Sequence, residues 1–132
     1  MEMVLFHGSE NHNKFEKNVF FSTSEDFSEA YGEVKQYNVN LNKVFDTLNE
    51  THVKLLIESV NGFYEPYDET DIDTYEDYLN TPYYACDNWE MFEQYIDSIK
   101  NLGFDSMKIF EGGYENYCVF HNNFKLLEKI NL

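Results

Sequence analysis

The sequence predicts a single α+β domain in which short strands outnumber the helices. The 132 residues are 42% apolar and 18% aromatic, which is enough to bury a hydrophobic core in one domain. Several short apolar runs end at Gly, Asn or Ser, and such runs are typical of strands. The strands are not regularly interleaved with helices, which argues against a doubly wound parallel sheet.

The first half of the chain predicts four extended segments and two helices. The short helix follows the hydroxyl caps Ser22-Thr23-Ser24 and ends at Gly32, and the longer one is stopped by Asn61-Gly62. In order, the predicted elements are a strand at Met3–His7, a loop at Glu10–Lys17, a strand at Asn18–Phe21, a helix carrying Phe27, Ala30 and Tyr31, strands at Val34–Leu41 and Val44–Asp46, and a helix at Thr51–Val60.

The second half begins with an acidic, tyrosine-rich insert at about 63–86, which holds either one short helix within Ile72–Leu79 or a long ordered loop. One helix is predicted over Asn88–Leu102, with Asn88 as its cap and Trp89 and Phe92 in the core. The remaining predictions are a strand at Phe104–Phe110, a turn at Gly112-Gly113, a strand at Tyr117–Phe120 and weak alternation over Phe124–Leu132.

The net charge of −16 is extreme for this length, and all nine cationic side chains are lysines. Such a field repels nucleic-acid phosphates, so direct binding of DNA or RNA is not expected. The charge favours a basic protein partner, such as one that itself binds nucleic acid, although acidity also simply keeps a protein soluble. The tyrosines and acids between Tyr64 and Tyr84 form either a solvated face or a docking surface for that partner.

Several other classes of function lack their sequence signals. Cys86 and Cys118 form no CxxC pair, so we expect free thiols and neither a disulfide scaffold nor a zinc site. The first residues lack the features of a signal peptide, and no run is long enough to span a membrane, so a cytoplasmic protein is expected. No metal-binding motif is present and no metal is expected. A thiol nucleophile at Cys118 beside His121 is only a weak alternative.

The most informative residues are His7-Gly8-Ser9, at the end of the first strand. A glycine at that point lets a ligand approach the backbone, whose N–H and C=O groups can bind an amide. A histidine at a strand end is more often structural, and a helical tyrosine such as Tyr31 more often faces a core. The informative feature is the order along the chain: His7-Gly8-Ser9 on the first strand, then Phe20-Phe21-Ser22 on the second strand, then Tyr31.

This order resembles the ADP-ribosyltransferase fold, in the histidine-first branch shared by diphtheria-like toxins and poly(ADP-ribose) polymerases. The resemblance implies a compact single domain, 1–132, with short strands in two small packed sheets, and NAD as a substrate. It implies that His7 holds the NAD ribose, that the backbone of Gly8 clamps the nicotinamide carboxamide, and that Tyr31 stacks on the nicotinamide ring. The arginine-first branch is excluded because the chain has no arginine.

Ser9, Phe20 and Ser22 complete the NAD-binding residues that the resemblance implies. Phe20 stands where the polymerases have a tyrosine, so a hydroxyl contact is lost there. Ser22 and Ser24 are either ligand contacts or helix caps, and capping alone is sufficient reason for one of them.

The stretch from Trp89 to Glu111, the first nine residues and Glu128-Lys129-Ile130 resemble a family of phage anti-CRISPR mono-ADP-ribosyltransferases. Residues 47–84 differ from that family. The resemblance implies action in the bacterial host cytoplasm on a subunit of a type I-F CRISPR surveillance complex, which would block recognition of target DNA. The competing interpretations are an acidic DNA mimic that blocks a basic groove without catalysis, and an ADP-ribosylating toxin with another target.

The catalytic acid is the remaining choice. A carboxylate must stabilise the developing ribosyl cation and orient or deprotonate the acceptor. Spacing from Gly103 favours Glu111 by resemblance to the anti-CRISPR family. Comparison with the polymerases points to the residue directly before Tyr117, which here is Asn116, and Glu115 is one position away. Glu111 is the first candidate, Glu115 the second, and both could be solvated turn acids.

Overall fold

The computed structural model describes residues 2–12, 15, 18–66, 69–121 and 124–127. Within them the chain forms nine strands and five helices, so the predicted α+β class is confirmed. The strands are β1 (Glu2–Ser9), β2 (Val19–Ser22), β3 (Glu33–Asn40), β4 (Val44–Asp46), β5 (Phe63–Glu65), β6 (Thr70–Ile72), β7 (Ser106–Glu111), β8 (Tyr114–Val119) and β9 (Phe124–Leu126). The helices are α1 (Glu25–Glu29), α2 (Glu50–Val60), α3 (Tyr75–Leu79), α4 (Trp89–Glu93) and α5 (Ile96–Asn101).

The strands form two sheets of unequal size. Seven pair in the order β4-β7-β8-β2-β1-β3-β9, and β5 pairs with β6. Within the larger sheet only the pairing of β4 with β7 is parallel. None of the helices in the described part of the chain is long and apolar enough to cross a membrane.

Hydrophobic side chains pack on both faces of the large sheet. Successive strand residues point to opposite faces, so Cys118 joins one buried cluster while its neighbours Tyr117 and Val119 join the other. The first cluster contains the inward faces of the helices α2 to α5. The second lies over β1, β2 and β3 and includes Leu5 and Phe21.

Local sequence signals account for the starts and ends of several elements. Ser24 caps α1 by accepting a hydrogen bond from the Phe27 N–H, and Asn49 caps α2 in the same manner from His52. Helix α2 ends at Val60, and its C-cap Asn61 has a left-handed backbone, as the Asn61-Gly62 stop predicts. The predicted helix within Ile72–Leu79 is confirmed as α3. The segment after Leu127 lies outside the described residues.

The long helix predicted over Asn88–Leu102 is wrong, because the structure has two short helices interrupted at Gln94 and Tyr95. These two side chains are committed to the backbone of Tyr64. The Gln94 Nε2 donates to the Tyr64 carbonyl at 3.0 Å, and the Tyr64 N–H donates to the Tyr95 hydroxyl at 3.1 Å. The interruption therefore coincides with the place where this segment contacts β5.

The tyrosine-rich insert is part of the core rather than only a solvated face. Phe63, Ile72 and Tyr78 are buried in the first cluster. Tyr64 follows Phe63 on β5, and because side chains alternate along a strand, it points outward and is exposed. The acids of the insert lie mainly on the exposed positions.

Asn88 is a buried junction and makes no capping hydrogen bond to α4, contrary to the prediction. Its backbone N–H donates to the Phe110 carbonyl at 3.1 Å, and its Oδ1 accepts from the Phe110 N–H at 2.9 Å. Its Nδ2 donates to the Thr47 hydroxyl at 3.0 Å and to the Tyr78 hydroxyl at 3.1 Å. The Tyr78 hydroxyl in turn donates to the Thr47 carbonyl at 2.7 Å. Both polar atoms of the carboxamide are thus satisfied in a buried network.

Asn88→Leu should destabilise the protein by about 2–4 kcal/mol, because it leaves the Phe110 N–H unpaired and removes the N–H groups that the Thr47 and Tyr78 hydroxyls accept. Urea denaturation followed by circular dichroism measures this free energy of unfolding. The matched control is Asn101→Leu at an exposed position, which should change it by about 0.5 kcal/mol or less. Equal effects of the two variants would contradict the structural role of Asn88.

Candidate functional site

A cavity of about 610 Å³ opens where β1 and β2 diverge. Strand β1 pairs with β3 over its whole length but with β2 only through Phe6 and Ser22. The volume lies within the range of about 300–1000 Å³ that is common for small-molecule sites. The lining residues are His7, Gly8, Ser9, Glu10, Phe15, Asn18, Val19, Phe20, Phe21, Ser22, Phe27, Ser28, Tyr31, Trp89, Glu111 and Asn116.

His7 is held in one orientation by a hydrogen bond across this cleft. Its Nδ1 lies 2.6 Å from the Phe20 carbonyl oxygen. A carbonyl only accepts, so Nδ1 carries the proton and Nε2 is the acceptor nitrogen of the neutral ring. Burial lowers the pKa of His7, and the nearby His12 lowers it further, although the hydrogen bond to Phe20 acts in the opposite direction. The ring is therefore neutral near pH 7 and also packs beside Phe21.

Gly8 lines the cavity, and the packing of α1 gives a reason for a glycine there that the sequence did not indicate. A Cβ at Gly8 would lie 1.8 Å from the backbone oxygen of Ser28 in α1. The missing side chain therefore allows α1 to pack against β1. The approach of a ligand to the Gly8 backbone stays a prediction. Helix α1 in this position brings Phe27 and Tyr31 to the cavity.

The serines of the site are engaged in turns. The Ser22 hydroxyl, although it lines the cavity, accepts from the Ser24 N–H at 3.0 Å. Ser24 caps α1 and does not line the cavity. The Ser9 hydroxyl exchanges hydrogen bonds with the backbone of Asn11, with both distances at 3.1 Å. These contacts explain why hydroxyl residues occupy the two strand ends.

Tyr31 does not face the core, since 56% of its surface is exposed. Its ring lies beside Phe27, with 5.6 Å between the ring centroids, and Phe27 in turn lies beside Tyr114. Burial raises the pKa of the Tyr31 hydroxyl, and the charge of Glu111 raises it further. An exposed ring at the mouth of a cavity, close to a carboxylate, is available to contact a ligand.

Glu111 also lines the cavity, as the last residue of β7. The hairpin turn that follows is Gly112-Gly113, and both glycines have positive φ, as the tight two-residue turn requires. Burial raises the pKa of Glu111, and the charges of Asp87, Glu90 and Glu93 raise it further. Glu111 is thus a partly buried carboxyl group in an acidic surrounding.

Glu115, the second candidate acid, does not line the cavity. It is a neighbour of Asn116 on β8, and side chains alternate along a strand, so Glu115 points to the other face. There its carboxylate lies 3.1 Å from the Lys108 ammonium. Asn116, at the position suggested by the polymerases, does line the cavity.

Sequence reasoning missed several residues of the site. Asn18, Phe15 and Phe27 line the cavity but received no functional role from the sequence. Trp89 was expected in the core, whereas it packs partly on the core and partly along the cavity, edge-to-face with Phe20 at 4.5 Å between ring centroids. The pairing of Asn116 with Ser22 across β8 and β2 is the signal that could have placed Asn116 in the site, but it requires the strand order.

The weak alternative of a thiol nucleophile is not supported. Cys118 is fully buried, and burial raises its pKa to about 12, so the thiol remains protonated and unreactive. Both cysteines are free. Within the described residues, no group of three or more His, Cys, Asp or Glu side chains could hold a metal ion.

The fold is similar to that of a protein of known structure. The crystal structure of an anti-CRISPR protein aligns with a TM-score of 0.55 and 13% sequence identity, covering 96% of this chain and 96% of that chain. At this identity the similarity concerns the fold. No protein-family model matches the chain, and no curated protein matches it.

Gly8→Ala should destabilise the protein by about 1–3 kcal/mol, because the new Cβ would displace α1 from β1. Thermal and urea denaturation measure the loss. The control is Gly113→Ala, where the φ is positive but the space is open, and where a loss of only about 1 kcal/mol is expected. A Gly8→Ala variant no less stable than the wild type would contradict the packing described here.

Glu111→Gln should stabilise the protein at pH 7. A carboxyl group whose pKa is raised on folding contributes stability below its unfolded pKa, and this contribution is lost as pH rises through the folded pKa. The urea midpoint of Glu111→Gln should therefore exceed that of the wild type by an amount that grows from pH 4 to pH 7.

The matched control is Glu115→Gln, which loses the contact with Lys108 and should lower stability at pH 7 by about 1 kcal/mol or less. If Glu111→Gln were destabilising at pH 7, Glu111 would not be in the acidic surrounding described.

Proposed function

We propose that the protein is an NAD-dependent mono-ADP-ribosyltransferase that modifies a protein of a CRISPR surveillance complex. The observation that carries the proposal is that one cavity gathers Glu111 and all six residues expected to bind NAD. These residues are His7, Gly8, Ser9, Phe20, Ser22 and Tyr31, and they come from β1, β2 and the turn after α1.

The chemistry of the cavity suits the nicotinamide end of NAD. The described lining residues include aromatic rings and Glu111 but no lysine, and the chain has no arginine. The nicotinamide ring of NAD is a pyridinium cation, and a cation is attracted both to the faces of aromatic rings and to a carboxylate. Tyr31 supplies exposed aromatic surface next to that carboxylate, and the half-buried Phe27 lies beside Tyr31.

His7 is suited to hold the adjoining ribose. With its Nδ1 proton committed to the Phe20 carbonyl, the neutral ring offers Nε2 as an acceptor for a ribose hydroxyl. A protonated ring would instead be a donor at both nitrogens. The lowered pKa of His7 therefore favours this role at neutral pH.

Glu111 is suited to the transfer step. In that step the bond between ribose C1′ and the nicotinamide nitrogen breaks, and its electron pair leaves with neutral nicotinamide. The acceptor atom of the target protein forms the new bond to C1′ and gives its proton to the Glu111 carboxylate. The carboxylate also stabilises the positive charge that develops on the ribose. Glu115 is less suited because it is paired with Lys108 outside the cavity.

The choice of target rests on the fold and on the charge. The structural neighbour is an anti-CRISPR protein, and a net charge of −16 favours association with a basic, nucleic-acid-binding protein. ADP-ribose attached to such a surface adds bulk and negative charge where DNA phosphates bind. A subunit of a type I-F complex is the target that the sequence resemblance implies.

The same charge supports a second candidate, an acidic protein that mimics DNA and blocks a basic groove without catalysis. The two candidates differ in what inhibition requires. An enzyme inhibits below one equivalent and needs NAD, whereas a mimic needs one equivalent, no NAD, and loses its effect steeply as salt rises.

The proposal predicts transfer of label from ³²P-NAD to one protein of a purified type I-F surveillance complex, with loss of target-DNA binding at sub-stoichiometric amounts. Glu111→Gln and His7→Ala should each reduce the initial rate by about 10²–10³-fold, as is typical when one transition-state contact is removed. Glu115→Gln should retain most of the rate. Gel autoradiography and a DNA mobility shift measure the two effects.

Inhibition without NAD, unaffected by Glu111→Gln, would exclude the enzyme and support the mimic. The same labelling is repeated in a bacterial lysate that contains the complex. Labelling of other proteins there, with the complex left unmodified, would support the enzymatic activity but exclude the CRISPR target.

A further inference from the structure

Two buried side-chain atoms in the described part of the chain have no hydrogen-bond partner, namely the carboxamide oxygens of Asn18 and Asn116. Both residues line the same cavity. Buried polar atoms in proteins are nearly always paired, so two unpaired acceptors in one place call for a cause. The network around Asn88 shows that a buried asparagine elsewhere in this chain is fully satisfied.

Asn116 is firmly positioned. It lies in the middle of β8, opposite Ser22 of β2 and Ile109 of β7, and only 2% of its surface is exposed. Its side chain alternates with that of Glu115, so it points to the face that carries Glu111, two positions further along the hairpin. The backbone of Asn116 is held by strands on both sides, which leaves the side chain little freedom to find another partner.

Asn18 approaches the cavity from the other end of β2. It directly precedes Val19, the first residue of that strand, whereas Ser22 is the last. The oxygens of Asn18 and Asn116 thus belong to elements that meet at the cavity from different parts of the chain. A ligand that satisfies both must carry two N–H or O–H donors.

We propose that the carboxamide oxygens of Asn116 and Asn18 are binding groups for the ligand of this cavity, each accepting a hydrogen bond from it. The inference rests on the proposed function, in which the donors are the hydroxyls of the nicotinamide ribose and the amide N–H₂ of nicotinamide. A neutral amide at position 116 supplies an acceptor without placing a second carboxylate beside Glu111, where the repulsion between like charges would be unfavourable.

The test compares the stability of the ligand-free protein with its affinity for NAD. Asn116→Leu removes an unpaired buried acceptor, so the melting temperature of the ligand-free protein should rise by a few degrees. The same variant should bind NAD about tenfold more weakly in isothermal titration calorimetry, and Asn18→Leu should behave alike. Asn101→Leu, at an exposed position, should change neither quantity.

Asn116→Asp is the control for the change in side-chain shape. It keeps an acceptor oxygen at the same place, so its affinity for NAD should be closer to that of the wild type than is the affinity of Asn116→Leu. Its melting temperature should fall as pH rises, because a buried carboxylate is then formed beside Glu111.

A lower melting temperature for ligand-free Asn116→Leu, with unchanged NAD affinity, would overturn the inference, since it would mean that Asn116 has a structural partner such as a bound water. If the wild type binds no NAD, the proposed function is wrong, and the melting temperature of the ligand-free Asn116→Leu variant then tests the inference separately. A rise on Asn116→Leu would still support an unpaired acceptor reserved for a ligand, and a fall would overturn it.

Discussion

The double hydrogen bond between Asn88 and Phe110 is the interaction on which the site depends most. Strand β4 covers one edge of β7 only as far as Asp46, and Thr47 then bonds the Lys108 carbonyl through both its N–H and its hydroxyl. At the next position but one along β7, Asn88 hydrogen-bonds both the N–H and the carbonyl of Phe110, as a residue of a neighbouring strand would. The residue after Phe110 is Glu111. The segment 86–88 therefore completes the edge of the sheet directly beside the candidate acid.

A second constraint is the separation of β1 from β2. Continuous pairing of these strands would fill the cavity with backbone, but the ladder is limited to Phe6 and Ser22. The hydrogen bond from His7 to the Phe20 carbonyl spans the gap that results. On the other side, the absence of a side chain at Gly8 lets α1 pack against β1. The open cleft and the packing of α1 beside it thus both depend on Phe6, His7 and Gly8 of β1.

The charge around Glu111 is mainly negative, which suits a substrate with a cationic group. Glu111 lies near Asp87, Glu90 and Glu93, and burial together with the repulsion from these charges raises its pKa. A pyridinium ring brought beside Glu111 would relieve the repulsion and lower the pKa of this carboxyl group. Binding of the proposed substrate and ionisation of the proposed acid would then favour each other.

The sequence by itself determined the α+β class, most strand positions, the caps at Ser24 and Asn61, and the glycine turn after Glu111. It also indicated six residues between His7 and Tyr31 that line one cavity. These features depend on local preferences and on order along the chain, which a sequence contains. Tertiary structure decided the rest. The break at Gln94 and Tyr95 depends on β5, thirty residues away. The close approach of the Ser28 carbonyl to Gly8 is visible only in the fold. The separation of Glu111 from Glu115 depends on which face of the sheet each strand position occupies. Asn116 enters the site because β8 lies between β7 and β2, and strand order follows from long-range packing that no local pattern records.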